Sequence, residues 1–289
     1  PLESDGNYNF TVDWGDGSSD HITAYNQAEI NHTYTTEGEY EIKINGTIVG
    51  WRFNDGRDKL KIIDISQWGD LNVGNNGGYF RGCENLDASA TDALNLSGTT
   101  NLGSMFRGAY NFNGSIGNWD VSEVTSMGAM FRNAALFNGN ISSWNVSNVV
   151  SMNNMFYASD FNQPIDSWDV SNVTTMSAMF TAADSFNQNL SSWNLSSITD
   201  MDRMFFKSFA FNGNISSWDV SSVMDMHRMF RGANAFNQDI SNWDVSNATS
   251  MSEMFIGADL FNQNLGSWNV SKVSTMRDMF NSSNLSTQN

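Results

Sequence analysis

The amino-acid sequence predicts an α/β solenoid of right-handed coils, each about 25 residues long with a short strand and a short helix, behind a small β-sandwich-like unit. Seven tryptophans recur at steps of 25, 24, 25, 25, 25 and 25 residues: Trp119, Trp144, Trp168, Trp193, Trp218, Trp243 and Trp268. Eight Met-Phe pairs keep the same step, with phenylalanines Phe106, Phe131, Phe156, Phe180, Phe205, Phe230, Phe255 and Phe280. The first 50 residues lack the repeat.

Residues 1–50 predict a small β unit that caps the N-terminal end of the solenoid. The segments 7–13 and 38–44 alternate apolar and polar residues, as half-buried strands do. The residues 15–17, with the sequence Gly-Asp-Gly, mark a turn between them. The sequence therefore predicts a separate sheet before the first coil.

The array divides into degenerate first coils at residues 51–105, regular repeats at 106–280, and a polar tail or truncated next coil at 281–289. The spacing I-x-x-W-x-V, as around Trp144, matches the L-x-x-L-x-L core of leucine-rich repeats. Trp and Val are therefore predicted to point inward from a short strand. The M-x-x-M-F block that follows has helical spacing. One coil cannot bury these side chains alone, but stacked neighbours can.

Two polar columns run along the predicted array. We interpret the Asn after the second Phe of each coil as structural, because an amide at a fixed turn satisfies backbone groups: Asn113, Asn138, Asn162, Asn187, Asn212, Asn237 and Asn262. The residue between each inward Trp and Val points outward and is a candidate ladder for a ligand or for cations: Asp120, Asn145, Asp169, Asn194, Asp219, Asp244 and Asn269. A solvated polar face is the alternative interpretation of this second column.

Variation between coils is concentrated between the two methionines of each M-x-x-M-F block. Arginines gather on that side in the C-terminal half, and we name four as candidate contacts for a protein partner: Arg203, Arg228, Arg231 and Arg277. The strand face is monotonous by comparison. Such a face suits a periodic ligand, such as a glycan, a lattice of ions or another copy of the chain.

Asp13, Asp16 and Asp20 lie in and beside the predicted N-terminal turn. Carboxylates are the oxygen ligands that Ca²⁺ prefers, so these three are a second candidate calcium site. Their spacing is not that of an EF-hand loop. No other cofactor is predicted.

The composition excludes several classes of function. With 14 Lys+Arg against 31 Asp+Glu, the formal net charge of −17 predicts that nucleic acid is not a partner. A single cysteine, Cys83, excludes an intrachain disulfide, and we expect a buried thiol there. No apolar run approaches the roughly 20 residues of a membrane helix, so no membrane insertion is expected. Phosphate loops, catalytic triad motifs and metal-ligand motifs are missing from the sequence, which predicts that the chain is not an enzyme.

Two motifs carry a resemblance to known families. The segments 179–188 and 236–247 follow the pattern M-F-x-x-A-x-x-F-N-Q-x-I-x-x-W-D-V-S-N-V-T-x-M, so that residues 59–284 resemble the BspA-like leucine-rich-repeat surface proteins of bacteria. The N-terminal sequences VDWGDG, HTY and GEYEI look like the hallmark of the polycystic-kidney-disease (PKD) domain, an immunoglobulin-like β-sandwich. Fifty residues would hold only part of such a domain. The resemblance implies an extracellular or cell-surface bacterial protein.

The sequence thus predicts a non-catalytic extracellular repeat protein that serves as a surface adhesion or protein-interaction module. Its partners would be another protein or copies of itself at the cell surface, with glycans as a further option. The main alternative is a structural segment of a surface filament or stalk that self-associates. A glycan-binding module is a third hypothesis.

Overall fold

The computed structural model describes residues 1–283. Its N-terminal part is a three-stranded antiparallel sheet in the order β2-β1-β3. The strands are β1 (Leu2–Asp13), β2 (Ser19–Ile22) and β3 (Lys43–Trp51), and a short 3-10 helix spans Ala28–Ile30. A register shift interrupts the pairing of β1 with β3 near the start of β1.

The predicted β-sandwich is wrong, because residues 1–51 form one sheet with one buried face. Alternate residues Tyr8, Phe10 and Val12 of β1 are buried and form its small core. The segment predicted as a strand at 38–44 becomes one only from Lys43 onward. Before that point, Tyr40 stacks on Tyr34 with ring centroids 4.0 Å apart, and its neighbours are exposed. The alternation here reflects this half-buried, stacked aromatic pair and not a strand of the sheet.

The last strand of the sheet continues directly into the stack of coils. Val49 forms a parallel bridge with Asn72, and the Trp51 amide donates to the Val73 carbonyl at 3.3 Å. Trp51 packs against both the core of the sheet and the core of the coils. The sheet therefore covers the first coil and shares its apolar surface.

Beyond the sheet, the chain winds into stacked coils around one continuous core that runs from Phe53 to Met279. The phenylalanines of the Met-Phe pairs form a column of parallel rings. Around Phe180, the centroid distances are 5.7 Å to Phe156 and 5.5 Å to Phe205. Each Phe of this column from Phe106 to Phe255 is fully buried because the coil before and the coil after cover it. Burial thus comes from neighbouring repeats, as the sequence predicts.

The predicted helix in each coil is wrong, and with it the α/β solenoid. The M-x-x-M-F block is a chain of tight turns. The Met130 amide donates to the Met127 carbonyl three residues back at 3.1 Å. The amides of Ala129 and Phe131, by contrast, leave the coil and donate to carbonyls of the next coil at 2.8 and 2.9 Å. An α-helix requires a bond to the fourth residue back at every position, so this pattern excludes it.

Positive φ angles explain why the turns do not continue as a helix. Ala129 has a φ of 55° and Asn133 a φ of 58°, and both values lie in the left-handed region. Each reverses the helical sense after a single turn. Glycine occupies the Asn133 position in other coils, as at Gly108 and Gly232, both with a φ of 72°. The apolar spacing of three and four residues therefore arises from turns and not from a helix.

The predicted strand at Trp-x-Val is also missing, although its alternation is real. Trp144 and Val146 are buried and Asn145 between them is exposed. The parallel bridges between coils lie instead just before the first Met, as between Ser126 and Ser151. Of the predicted tail at 281–289, residues 284–289 lie outside the described part of the chain.

Candidate functional site

The column of Asp and Asn between Trp and Val, called here the Asp/Asn column, caps turns. Each side-chain Oδ1 accepts the backbone amide of the serine two residues later, at 3.0 Å for Asp219 and Ser221 and 3.2 Å for Asn145 and Ser147. Because these bonds stay within one coil, the column does not bridge neighbouring coils. The same geometry holds at Asp120, Asp169, Asn194, Asp244 and Asn269.

The electrostatics of this column follow from the same turn. The serine hydroxyl, followed by the serine amide, lowers the pKa of the carboxylates at Asp120, Asp169, Asp219 and Asp244. Each carboxylate is therefore ionised at neutral pH and already has donors of its own. Asparagine accepts the amide bond equally well, which explains why the two residues alternate in the column.

The second column joins coil to coil. The Asn162 Oδ1 accepts the Asn187 amide at 2.9 Å, and the Asn187 Oδ1 accepts the Asn212 amide at 2.8 Å. The series starts at Asp87, whose Oδ1 accepts the Asn113 amide. The same bonds link the remaining members, Asn138, Asn237 and Asn262. The side-chain oxygens and backbone amides of this column are thus hydrogen-bonded to one another within the stack.

The four arginines of the variable side are held by internal acids. The carboxylate of Glu253, only 7% exposed, lies 3.0 Å from Arg228 Nε, pairs with Arg231, and lies 3.6 Å from Arg277. Arg203 pairs with the neighbouring Asp202, which also contacts His227. Arg277 also pairs with Asp278 at 3.3 Å, so the charges of these arginines are largely matched by acids of the same stack.

The N-terminal aspartates are not brought together around one point. Asp13 Oδ1 accepts the Gly15 amide at 2.9 Å, and Asp20 Oδ2 accepts the indole N–H of Trp14 at 2.8 Å. Asp16 bonds both Ser18 and the His32 ring, and these bonds lower its pKa to about 2. Each carboxylate is thus occupied by a different donor of the turn.

Residues 1–283 contain no group of three or more His, Cys, Asp or Glu side chains placed to hold a metal ion. The same residues include no helix with the length and apolarity needed to cross a bilayer. Cys83 is fully buried, and burial raises the pKa of its thiol to about 12, so the reactive thiolate is suppressed.

A shallow depression of about 680 Å³ opens on the polar face beside Trp168. Its coil departs from the repeat at two positions. Pro164 replaces the Asn, Asp or Ser of other coils, and Asp166 replaces Ser or Gly. Both Asp166 oxygens accept Ser192 donors at 2.8 Å. The lining is rich in oxygen atoms: Ser142, Asp166, Ser167, Asp169, Ser192 and Asn194.

Sequence reasoning missed a second feature, a column of arginines directly after the first Phe of three consecutive coils. Arg81, Arg107 and Arg132 lie one above another, and all three are half-buried. The recurrence of Arg before Gly or Asn in the segments 81–82, 107–108 and 132–133 is the signal that could have revealed them.

Stacked coils with one recurring core layer define a repeat protein. The chain belongs to the family described as Mycoplasma protein of unknown function, DUF285, which matches residues 52–160, 74–193 and 186–289. These tandem matches span the coils and leave the N-terminal sheet outside. They support the repeat architecture and give no support to a leucine-rich-repeat identity or a PKD-like domain. No curated protein and no solved structure matches the chain.

Proposed function

We propose that the chain is a non-catalytic extracellular repeat protein that serves as a surface adhesion or protein-interaction module. Its repeated polar side chains form hydrogen bonds within turns and with neighbouring coils. Recognition then falls to positions that differ between coils. The likeness of the repeats to BspA-like surface proteins supports an extracellular location, and membership of a tandem-repeat family supports the architecture.

The depression beside Trp168 is the observation on which this proposal depends. It interrupts a monotonous face at the regular coil that has Pro164 where the other coils have Asn, Asp or Ser, and Asp166 where they have Ser or Gly. Proline has no side-chain acceptor for the turn that Asn140 caps in the preceding coil, where its Oδ1 accepts the Ser142 amide at 3.0 Å. Loss of that polar side chain opens the surface, and the Asp166 carboxylate lies at its edge.

A variant that restores the repeat tests this proposal. In Pro164→Asn/Asp166→Ser, the coil regains the residues found in its neighbours and the depression is filled. The fluorescently labelled chain and this variant would be titrated onto an immobilised panel of extracellular-matrix proteins. We expect saturable binding by the chain to a panel member and a loss of about tenfold or more in the variant, because the charged contact of Asp166 is removed.

The control is Asp239→Asn, which changes the position equivalent to Pro164 in another coil and keeps the hydrogen bond from the Ser241 amide. We expect it to bind as the parent chain does. Thermal unfolding monitored by circular dichroism should give similar midpoints for all three proteins. Equal binding by the restored variant, or an entire panel without saturable binding, would overturn the proposal.

The monotonous Asp/Asn column favours a second candidate function, a structural segment that self-associates through its polar face. Sedimentation velocity over a wide range of concentrations, with and without Ca²⁺, tests this alternative. Concentration-dependent assembly that disappears in Asp219→Asn/Asp244→Asn would support it. A monomer at every concentration would exclude it.

A further inference from the structure

Three arginines, named here the basic column, lie in register on consecutive coils. Each follows the first Phe of its coil: Arg81, Arg107 and Arg132. The amide after Arg81 donates to the Arg107 carbonyl at 2.8 Å, and the amide after Arg107 donates to the Arg132 carbonyl at 2.8 Å. Successive arginines are therefore separated by one rung, about 4.8 Å along the stack.

The positive charge of this column is only partly compensated. Arg81 has only Asp55, at 3.7 Å, and Asp55 is shared with Lys59. The side chain of Arg107 makes no ion pair and no hydrogen bond within residues 1–283. Burial lowers the pKa of Arg107, and the flanking guanidiniums lower it further. The three arginines and Lys59 outnumber the nearby carboxylates of Asp55 and Glu84, so this patch is positive on a chain whose net charge is −17.

The ring of Tyr157 lies beside the column, and a second, exposed ring, that of Tyr110, belongs to the coil of Arg107. The Arg132 guanidinium lies 4.3 Å from the centre of the Tyr157 ring, and its Nη1 donates to Asn154 Oδ1 at 3.2 Å. Tyr110, three residues after Arg107, is 44% exposed. Guanidiniums bind sulfate and carboxylate groups through forked hydrogen bonds, and aromatic rings pack against the C–H faces of sugars. Arginine and tyrosine together fit an acidic sugar chain better than a bare anion.

We propose that the basic column binds a linear anionic polysaccharide that lies along the axis of the stack. The ligand would supply the negative charges that the protein lacks at this patch. This site lies on the Met-Phe segment of the coils, away from the depression beside Trp168, so it is independent of the function proposed above.

Dextran sulfate, a linear sulfated polysaccharide, is the probe for this site. Binding of the 289-residue chain would be measured by isothermal titration calorimetry at low ionic strength, where charge interactions are least screened. Arg107→Gln should weaken binding about tenfold or more, because it removes charge-assisted hydrogen bonds. Lys43→Gln is the matched control, since it removes one positive charge from a residue that is 66% exposed on the N-terminal sheet. We expect less than about twofold change in the control.

Thermal unfolding without ligand separates a binding role from a structural one. Arg107→Gln should leave the midpoint unchanged or raise it, because it relieves repulsion between like charges. A lower midpoint would mean that Arg107 stabilises the stack and would overturn the inference. Uncharged dextran should not bind. Equal binding of poly-L-glutamate would indicate a site for acidic peptides and would overturn the proposal. The absence of dextran sulfate binding would overturn it as well.

Discussion

Replacing one phenylalanine of the ring column should cost far more in the middle of the stack than at its last described coil. Phe180 is fully buried, with Phe186 of its own coil stacked on it at 4.0 Å and Phe156 and Phe205 of the neighbouring coils parallel to it at 5.7 and 5.5 Å. Core Phe→Ala substitutions cost about 3–5 kcal/mol. Hydrogen bonds to both neighbouring coils hold the backbone in place, so the cavity cannot collapse. We therefore expect Phe180→Ala to fall in the upper half of that range.

Phe280 provides the comparison within the same column. Its ring stacks on Phe255 at 5.6 Å and is 38% exposed. One stacked pair and partial burial together suggest a loss of about 1–2 kcal/mol for Phe280→Ala. The two substitutions are chemically identical, so the difference between them measures what the further stacked rings, Phe205 and Phe186, add to the burial of Phe180.

Urea unfolding followed by circular dichroism and tryptophan fluorescence would measure both losses. Amide hydrogen exchange would show which coils are destabilised, since a linear stack transmits instability mainly to adjacent coils. Phe180→Ala should lower protection in the coils on both sides of residue 180, and Phe280→Ala only near the C-terminal end. Equal losses at the two positions would refute the argument that stacked neighbours supply the core.

Other predictions concern single positions. Asp219→Asn should flatten the acid dependence of stability between pH 7 and pH 3. The folded-state pKa of Asp219 is lowered, so its carboxylate stabilises the fold above the unfolded pKa of about 3.9, and this contribution is lost as pH falls through the folded-state pKa. An unchanged pH profile would contradict this prediction. Asn187→Ala should cost about 1 kcal/mol and speed exchange of the Asn212 amide, because its acceptor is lost. Ala182→Gly should raise stability by about 0.5–1 kcal/mol, because φ is 52° there, and a lower urea midpoint would count against it. Cys83 should react with iodoacetamide only when the first coil opens, so alkylation should accelerate in urea in step with unfolding.

The repeating core could be predicted from sequence because its spacing is independent of backbone conformation. Trp144, Val146 and Met152 are buried as expected. The same spacing could not distinguish a helix from successive turns, since both place every third and fourth residue on one side. The left-handed positions hold Ala, Asn, Arg or Glu as well as Gly, so they carried no glycine pattern strong enough to exclude the helix.

The candidate sites show a similar division. The Asp/Asn column was identified, but its internal bond to the following serine depends on the turn and was not predicted. Arg107 recurs with Arg81 and Arg132 after the first Phe of each coil, but only the stack shows that their guanidiniums lie above and below one another. Pro164 and Asp166 were visible as departures from the repeat, yet only the surface around them shows that they share one depression.

The hydrogen bonds of the Met-Phe segment also give the stack an electrical direction. Phe80, Phe106 and each later member donate their amides toward the C-terminal neighbour, as far as Phe255. Parallel peptide dipoles add, as they do along a helix axis, so this face is negative toward the first coil and positive toward the last. The basic column lies near the negative first coils, and Glu253 and Asp278 lie near the positive last ones, where they also pair with arginines of these coils. Two such faces would attract each other most strongly when their axes are antiparallel.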